Sequence, residues 1–279
     1  MKINLVKNGI FPIKNQTKED STGYGVSGTF QGEGKLLGTP CLFIRFSSCN
    51  LRCAWIGVDG NGSPCDSPYS SHKPEKNVTE VEEIIEVVKE NTLPQNIGYV
   101  VVSGGEPTMQ TLPLIELLKQ LKELGLHTTI ETNATIYHEE ISKYTDLVSM
   151  SPKLSSSTPW EANLKNTGLK FSERWAEKHE NLRINTPVIQ SYIDGAKEHG
   201  KDFQLKFVVT DVKDIKEIEN DFLSKLTGVD PSDVCLMPEG VTSEDLATRT
   251  EWLAQEALSR GWRFTPRLHI LMFGKNRYV

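Results

Sequence analysis

The chain has 279 residues, enough for one large α/β domain with a substantial core or for two small ones, and one is expected. A formal net charge of -6 argues against broad nucleic-acid affinity, which would need a basic face to neutralise phosphates, so no nucleic-acid partner and no direct role on tRNA are expected. No apolar run approaches the roughly eighteen residues that span a bilayer, and the N-terminus lacks a secretion signal's apolar segment, so a cytoplasmic protein with no membrane partner is expected.

Residues 2–13 alternate loosely as a first strand, and residues 14–25 form a polar, exposed excursion. Residues 40–46, PCLFIRF, read as a short strand carrying Arg45 among apolar neighbours. An unpaired buried guanidinium is costly, so Arg45 needs either a salt bridge at a strand edge or an incoming carboxylate. Thr79 followed by Glu82 reads as a capping box opening a helix to residue 90, with Val81, Ile84, Ile85 and Val88 on one face. Residues 98–103, GYVVVS, read as a strand buried on both sides, ending at Gly104-Gly105 before a helix over 112–124.

The same rhythm continues with strands at 127–131, 147–151, 204–210 and 234–237, helices at 214–226 and 243–260, and a last strand near 262–268. Parallel β/α repeats imply an open sheet or a barrel, with active sites where strands end.

Five cysteines, three of them close together, fit a reducing compartment with thiolates free for metal. Cys41 and Cys235 read as small core residues. Three residues separate Cys49 from Cys53, and eleven separate Cys53 from Cys65. That spacing suits a four-iron cluster held by three thiolates with one iron left open, a zinc knuckle with His72 as fourth ligand, or unrelated core thiols.

Cys49-Asn-Leu-Arg-Cys53-Ala-Trp55, then Cys65-Asp66-Ser67, resembles the cluster loop of the radical S-adenosylmethionine (SAM) enzymes, with Gly104-Gly105-Glu106-Pro107 downstream. With Phe30-Gln31-Gly32-Glu33-Gly34 before it and Leu268-His269-Ile270-Leu271 near the C-terminus, the whole pattern resembles the 7-carboxy-7-deazaguanine synthases. The resemblance implies a single radical SAM domain over residues 1–279: an α/β, incomplete TIM-type barrel of about six β/α units. One departure stands out. Two residues usually separate the second and third cysteines, whereas residues 56–64 here insert nine more within the cluster loop 49–67. The inserted Gly57, Asp59, Gly60, Asn61, Gly62 and Pro64 are turn formers, so a loop that bulges outward while Cys65 stays near Trp55 is expected.

The resemblance also implies the site. Cys49, Cys53 and Cys65 would hold a [4Fe-4S] cluster. SAM would lie along Gly104, Gly105, Glu106, Thr132, Ser151, Pro152, Lys153 and Met237, although the family often has Gln where Met237 stands. Ordinary helix capping is an equal reading for Thr132 and Asn133, but Lys153 has no such use at a helix start. Ser67 would help hold Mg²⁺, with substrate oxygens and waters completing an octahedron at ~2.1 Å. The substrate, 6-carboxy-5,6,7,8-tetrahydropterin, would meet Phe30, Gln31, Gly32, Glu33, Arg45, Ser103, His269 and Val279, the last two within a substrate-contacting C-terminal segment, residues 266–279. Gln31 and Glu33 suit its amino-pyrimidinone edge, and Arg45 its carboxylate.

The implied reaction is a SAM-dependent ring contraction with loss of ammonia, SAM being regenerated. A flavodoxin or ferredoxin would supply the electron, and relatives imply a homodimer. A glycyl-radical activase would share the cluster loop but not FQGEG or the His269 segment. A zinc-binding interaction module would take zinc and no iron. An α/β hydrolase is weakest, since no Gly-x-Ser-x-Gly elbow and no metal-binding HExxH motif appear.

Overall fold

Three consecutive valines at positions 100–102, each at most 1% exposed, lie in the middle of a sheet whose two faces are covered. The structure is a computed structural model that describes residues 1–14 and 25–279. The expected polar excursion therefore lies almost wholly outside the described residues. In chain order the strands are β1 (Lys2–Phe11), β2 (Thr29–Phe30), β3 (Pro40–Phe46), β4 (Ala54–Ile56), β5 (Gly62–Pro64), β6 (Asn77–Glu80), β7 (Tyr99–Gly104), β8 (His127–Thr132), β9 (Leu147–Met150), β10 (Asp202–Val209), β11 (Val234–Pro238) and β12 (Arg263–Phe264). The helices are α1 (Val81–Thr92), α2 (Thr111–Glu123), α3 (Glu139–Tyr144), α4 (Glu173–Arg183), α5 (Thr186–Glu198), α6 (Val212–Glu217), α7 (Ser243–Arg260) and α8 (Leu268–Phe273).

Strands β3, β7, β8, β9, β10, β11 and β12 lie side by side in that order, every neighbouring pair parallel. Helices connect them, and repeated same-handed crossovers between sequential strands curl a sheet toward a barrel. This one stays open. Its path ends at β12 on one side, while on the other β1 runs antiparallel to β3 and β6 antiparallel to β1. The result is the expected partial barrel. Cys41 and Cys235 are fully buried in it.

Helix α1 buries Val81, Ile84, Ile85 and Val88 as its spacing predicts. Its cap sits one residue later than expected: the N–H of Glu80 donates to Glu83. Thr79 instead pairs with Ile3 in the β1–β6 ladder, which holds it extended. The expected helix over 214–226 divides into α6, one wide turn over Ile218–Phe222 and a tight turn over Leu223–Lys225. Phe222 thereby packs 5.3 Å from the Phe207 ring. The expected last strand is only two residues long, because Pro266 brings no amide to a ladder, and Leu268 already starts α8. No helix among the described residues is long and apolar enough to cross a membrane.

On α4, His179 is 1% exposed, with Nε2 3.1 Å from the hydroxyl of Ser157. Burial, with Lys153 and Arg183 nearby, pushes its pKa down to about 3. As the pH falls through the ordinary histidine value near 6.5, the unfolded chain takes up this proton and the folded chain does not, so stability falls. Linkage puts the loss at about 2 kcal/mol between pH 7 and pH 5 for this residue. Denaturant titrations at the two pH values should show that drop in the natural chain and a drop smaller by that amount in His179→Gln; equal drops would remove His179 as the cause.

Candidate active site

The C-terminal ends of the parallel strands open onto a cavity of about 890 Å³. Gly104 and Gly105 at the end of β7, Thr132 and Asn133 at the end of β8, Ser151 and Lys153 after β9, and Met237 on β11 all line it. The two glycines are required by the protein's own backbone. A Cβ on Gly104 would stand 2.2 Å from the Phe46 carbonyl oxygen, and one on Gly105 would stand 2.1 Å from that of Ser48. The turn is drawn onto β3 by Gly105 N–H donating to Phe46 and Glu106 N–H donating to Ser48.

Two expected cofactor residues do not reach the cavity. Glu106 is fully buried and turned into the framework, where its carboxylate accepts from Thr108 N–H (3.1 Å), the Thr108 hydroxyl (2.6 Å), the Thr132 hydroxyl (2.8 Å) and Asn133 N–H (2.6 Å). Burial pushes its pKa up against those four donors. Pro152 is buried and absent from the cavity lining. The capping reading of Thr132 and Asn133 does not hold either: the cap of the next helix, α3, is His138. Asn133 instead reaches the cysteine loop, donating to Asn50 at 2.8 Å and approaching the Cys49 sulfur at 4.0 Å. Lys153 donates to the carbonyl and hydroxyl of Ser151.

Cys49, Cys53 and Cys65 share one wall of the cavity. The inserted residues form a hairpin, with Ala54 opposite Pro64, Trp55 opposite Ser63 and Ile56 opposite Gly62. Its base is sealed by Cys65 N–H donating to the Cys53 carbonyl at 3.0 Å, so eleven intervening residues leave the two cysteines neighbours. Arg52 folds the first loop by donating to the carbonyls of Cys49 and Leu51. Burial pushes all three thiols up, Cys49 to about 12. Leu51 N–H points at the Cys49 sulfur from 3.5 Å, and such donors favour sulfur that carries negative charge. No three His, Cys, Asp or Glu side chains among the described residues converge on a single ion, as a zinc knuckle needs. His72 packs edge-on to Phe171 at 5.1 Å and does not line the cavity.

At the other end stand Phe30, Gln31, Gly32, Glu33, Arg45, Ser67, Ser103, His269 and Val279. A Cβ on Gly32 would lie 2.4 Å from His269 Nδ1, and Leu268 N–H donates to the Gly32 carbonyl, so the two motifs interlock. Glu33 accepts from Lys206 at 2.7 Å and from Arg267 at 3.1 Å. Burial raises its pKa, but the two cations outweigh it and hold the carboxylate far below the usual range. Each oxygen keeps a second lone pair for another donor. Lys206 also donates to Glu131, whose other oxygen accepts from Gln31. Arg267 also ion-pairs with Asp66, beside Cys65. Burial, with Arg267 alongside, pushes His269 down to about 4, so its ring is neutral at pH 7.

Arg45 makes no salt bridge with any described residue. Its guanidinium touches the hydroxyls of Ser67 and Tyr69, lies 4.8 Å from the Phe11 ring and keeps a buried Nε without a partner. Such a cation is set to receive an anion. Next to it the tail is held by Arg277, which pairs with Glu75 and stacks 3.5 Å from the Tyr69 ring.

Sequence reasoning missed Lys206, Arg267 and Tyr69. Lys206 carried a signal, the same one that marked Arg45: a lone charge inside an apolar strand. Arg267 and Tyr69 carried none.

The radical SAM superfamily profile matches residues 44–197. A 7-carboxy-7-deazaguanine synthase from Halobacterium salinarum is 40% identical over 249 residues, covering 88% of this chain and 87% of that protein. One from Rhodopirellula baltica is 35% identical over 255 residues, covering 90% and 87%. The crystal structure of QueE from Escherichia coli shares the fold, with a TM-score of 0.60 at 22% identity over 96% of this chain and 95% of that one. By these matches the chain belongs to the 7-carboxy-7-deazaguanine synthase family of the radical SAM superfamily.

Proposed function

We propose that this chain is a lyase that contracts 6-carboxy-5,6,7,8-tetrahydropterin to 7-carboxy-7-deazaguanine with release of ammonia, for 7-deazapurine synthesis such as that of queuosine. One observation carries the reading: residues 30–33, the three cysteines of the cluster loop, and His269 with Ile270, far apart in the chain, line one cavity. A relative 40% identical over most of the chain carries that enzyme name.

The cofactors are one [4Fe-4S] cluster and SAM, which together supply a radical able to take a hydrogen atom from the substrate. Cys49, Cys53 and Cys65 would each hold one iron, leaving the fourth open to SAM. SAM would lie against Gly104, Gly105, Thr132, Ser151, Lys153 and Met237, with Glu106 holding that wall in shape. Gln31 and Glu33 would take the N–H donors of the pyrimidinone edge, Phe30, Gly32, Ser103 and neutral His269 the rest of the ring system. Arg45 would take the substrate carboxylate. Ser67, with the carboxylate of Asp66 3.0 Å from its hydroxyl, would hold Mg²⁺ together with substrate oxygens. The Val279 carboxylate would close the substrate end. The residues keep water out and hold one C–H bond against the radical source. Residues 1–279 would act as one domain, in a cytoplasmic homodimer reduced by a flavodoxin or ferredoxin.

Three measurements test the reading. Anaerobic turnover of the iron- and sulfide-reconstituted protein with SAM, reductant, Mg²⁺ and the carboxypterin should give the deazaguanine acid without matching loss of SAM. 5′-Deoxyadenosine without that product would keep the superfamily and overturn the substrate. In Cys65→Ala the visible absorbance of the cluster should disappear; a full cluster would mean that the insertion had displaced the third ligand. Ser67→Ala should require on the order of tenfold more Mg²⁺ for half-stimulation, and an unchanged magnesium response would take Ser67 out of the ion's site.

A further inference from the structure

The inserted hairpin grows from the loop after β3 yet is fastened at the opposite end of the parallel run. The hydroxyl of Ser63 donates to Glu239 Oε1 at 2.6 Å, just past β11. Glu239 is 4% exposed, and its other oxygen accepts from Arg249 Nη1 of α7 at 2.9 Å. Arg249 also donates to the Glu239 carbonyl (3.0 Å) and, through Nη2, back to the Ile56 carbonyl of the hairpin (3.3 Å). Four strands, β7 to β10, separate β3 from β11 in the sheet. The hairpin thus crosses the mouth of the barrel.

A second attachment lies on the segment after β9. Asn163 donates to the Ala54 carbonyl at 2.8 Å, and Gly62 N–H donates to the Lys165 carbonyl at 2.8 Å. The fit is close, since a Cβ on Gly62 would stand 2.4 Å from the Asn163 carbonyl oxygen. Both strands of the hairpin are therefore held from outside, β4 through two carbonyls and β5 through Ser63 and Gly62. Cys65 follows β5 directly, two residues after Ser63.

We propose that Ser63, Glu239 and Arg249 are positioning residues that pin the inserted hairpin across the barrel mouth and thereby hold Cys65 where the third cluster thiolate is needed. A longer loop between two ligands costs more chain entropy to close, and the clamp offsets that cost after the chain has folded. A two-residue spacing between the second and third cysteines needs no such device. The buried carboxylate also has a reason to be there: it satisfies a hydroxyl on the hairpin and a guanidinium on α7 at once.

The proposal rests on the radical SAM reading, and one experiment separates the two. The full-length natural chain, Ser63→Ala and Ser63→Thr are reconstituted anaerobically. Iron loss to a chelator is then timed, and the reduced cluster's electron paramagnetic resonance spectrum is recorded with and without SAM. Ser63→Ala should keep its circular dichroism but lose iron at least fivefold faster, with a broadened spectrum, and Ser63→Thr should restore both. If Ser63→Ala does not fold, Glu239→Gln is the variant read. It keeps an acceptor for Arg249, removes the carboxylate from Ser63, and should show the same faster loss. A natural iron-loss rate and spectrum in the folded variant would overturn the clamp alone. A natural chain that takes up no four-iron cluster would overturn the radical SAM reading.

Discussion

One buried carboxylate sets the shape of the cavity floor. Glu106 has no exposure, and its two oxygens gather four donors from the turn after β7 and from the end of β8. Its own N–H reaches Ser48, in the loop that follows β3. Three adjacent strand ends are thus tied through one residue, and the cysteine loop begins at the position after Ser48. A buried carboxylate short of donors is costly, so the arrangement is stable only when every partner is in place. That all-or-none character makes the floor rigid, and it is why the two glycines before Glu106 have no space for a side chain.

The substrate end rests on charge held away from water. Lys206, with 4% of its side chain exposed, sits between Glu33 and Glu131, and Arg267 between Glu33 and Asp66. Two cations against three carboxylates leave the carboxylate side in excess, which suits donors such as ring N–H groups. Arg45 stands apart from this network with no acidic partner among the described residues. The cavity therefore presents an acceptor-rich region and a separate free cation. A ligand with an N–H edge and a carboxylate matches both, and the separation fixes which way round it lies.

Local features were legible in the sequence and long-range pairings were not. Valine runs ending at glycine turns mark parallel strands because buried strands and their turns are specified within a few residues. Most motif residues singled out from the chain do line the cavity, since strand ends are where such folds place their sites. The partners of Glu33 were hidden: Lys206 is 173 residues away and Arg267 is 234 residues away, and only the fold brings them close. For Glu106 the place in the glycine turn was legible but the inward direction was not, because a carboxylate there gives no local sign of it. The turn formers of the insertion were visible, but the ladder between Trp55 and Ser63 was not, because Gly62, Ser63 and Pro64 have poor strand propensity. The strand forms there because the segments around Asn163 and Glu239 hold it from outside.

The interlock of Gly32 with His269 carries the argument one step further. His269 fills the space that a side chain at position 32 would need, and the carbonyl of Gly32 receives the first amide of α8. The N-terminal motif thus depends on α8 for its packing. The same holds on the cluster side, where Ser63 and Ile56 await Glu239 and Arg249 from β11 and α7. Both halves of the cavity are thus completed by residues beyond position 230, although all three cysteines lie before position 70. Cluster wall and substrate wall therefore both lean on the C-terminal part of the fold, so the cysteine loop and the walls around it are parts of one packed structure.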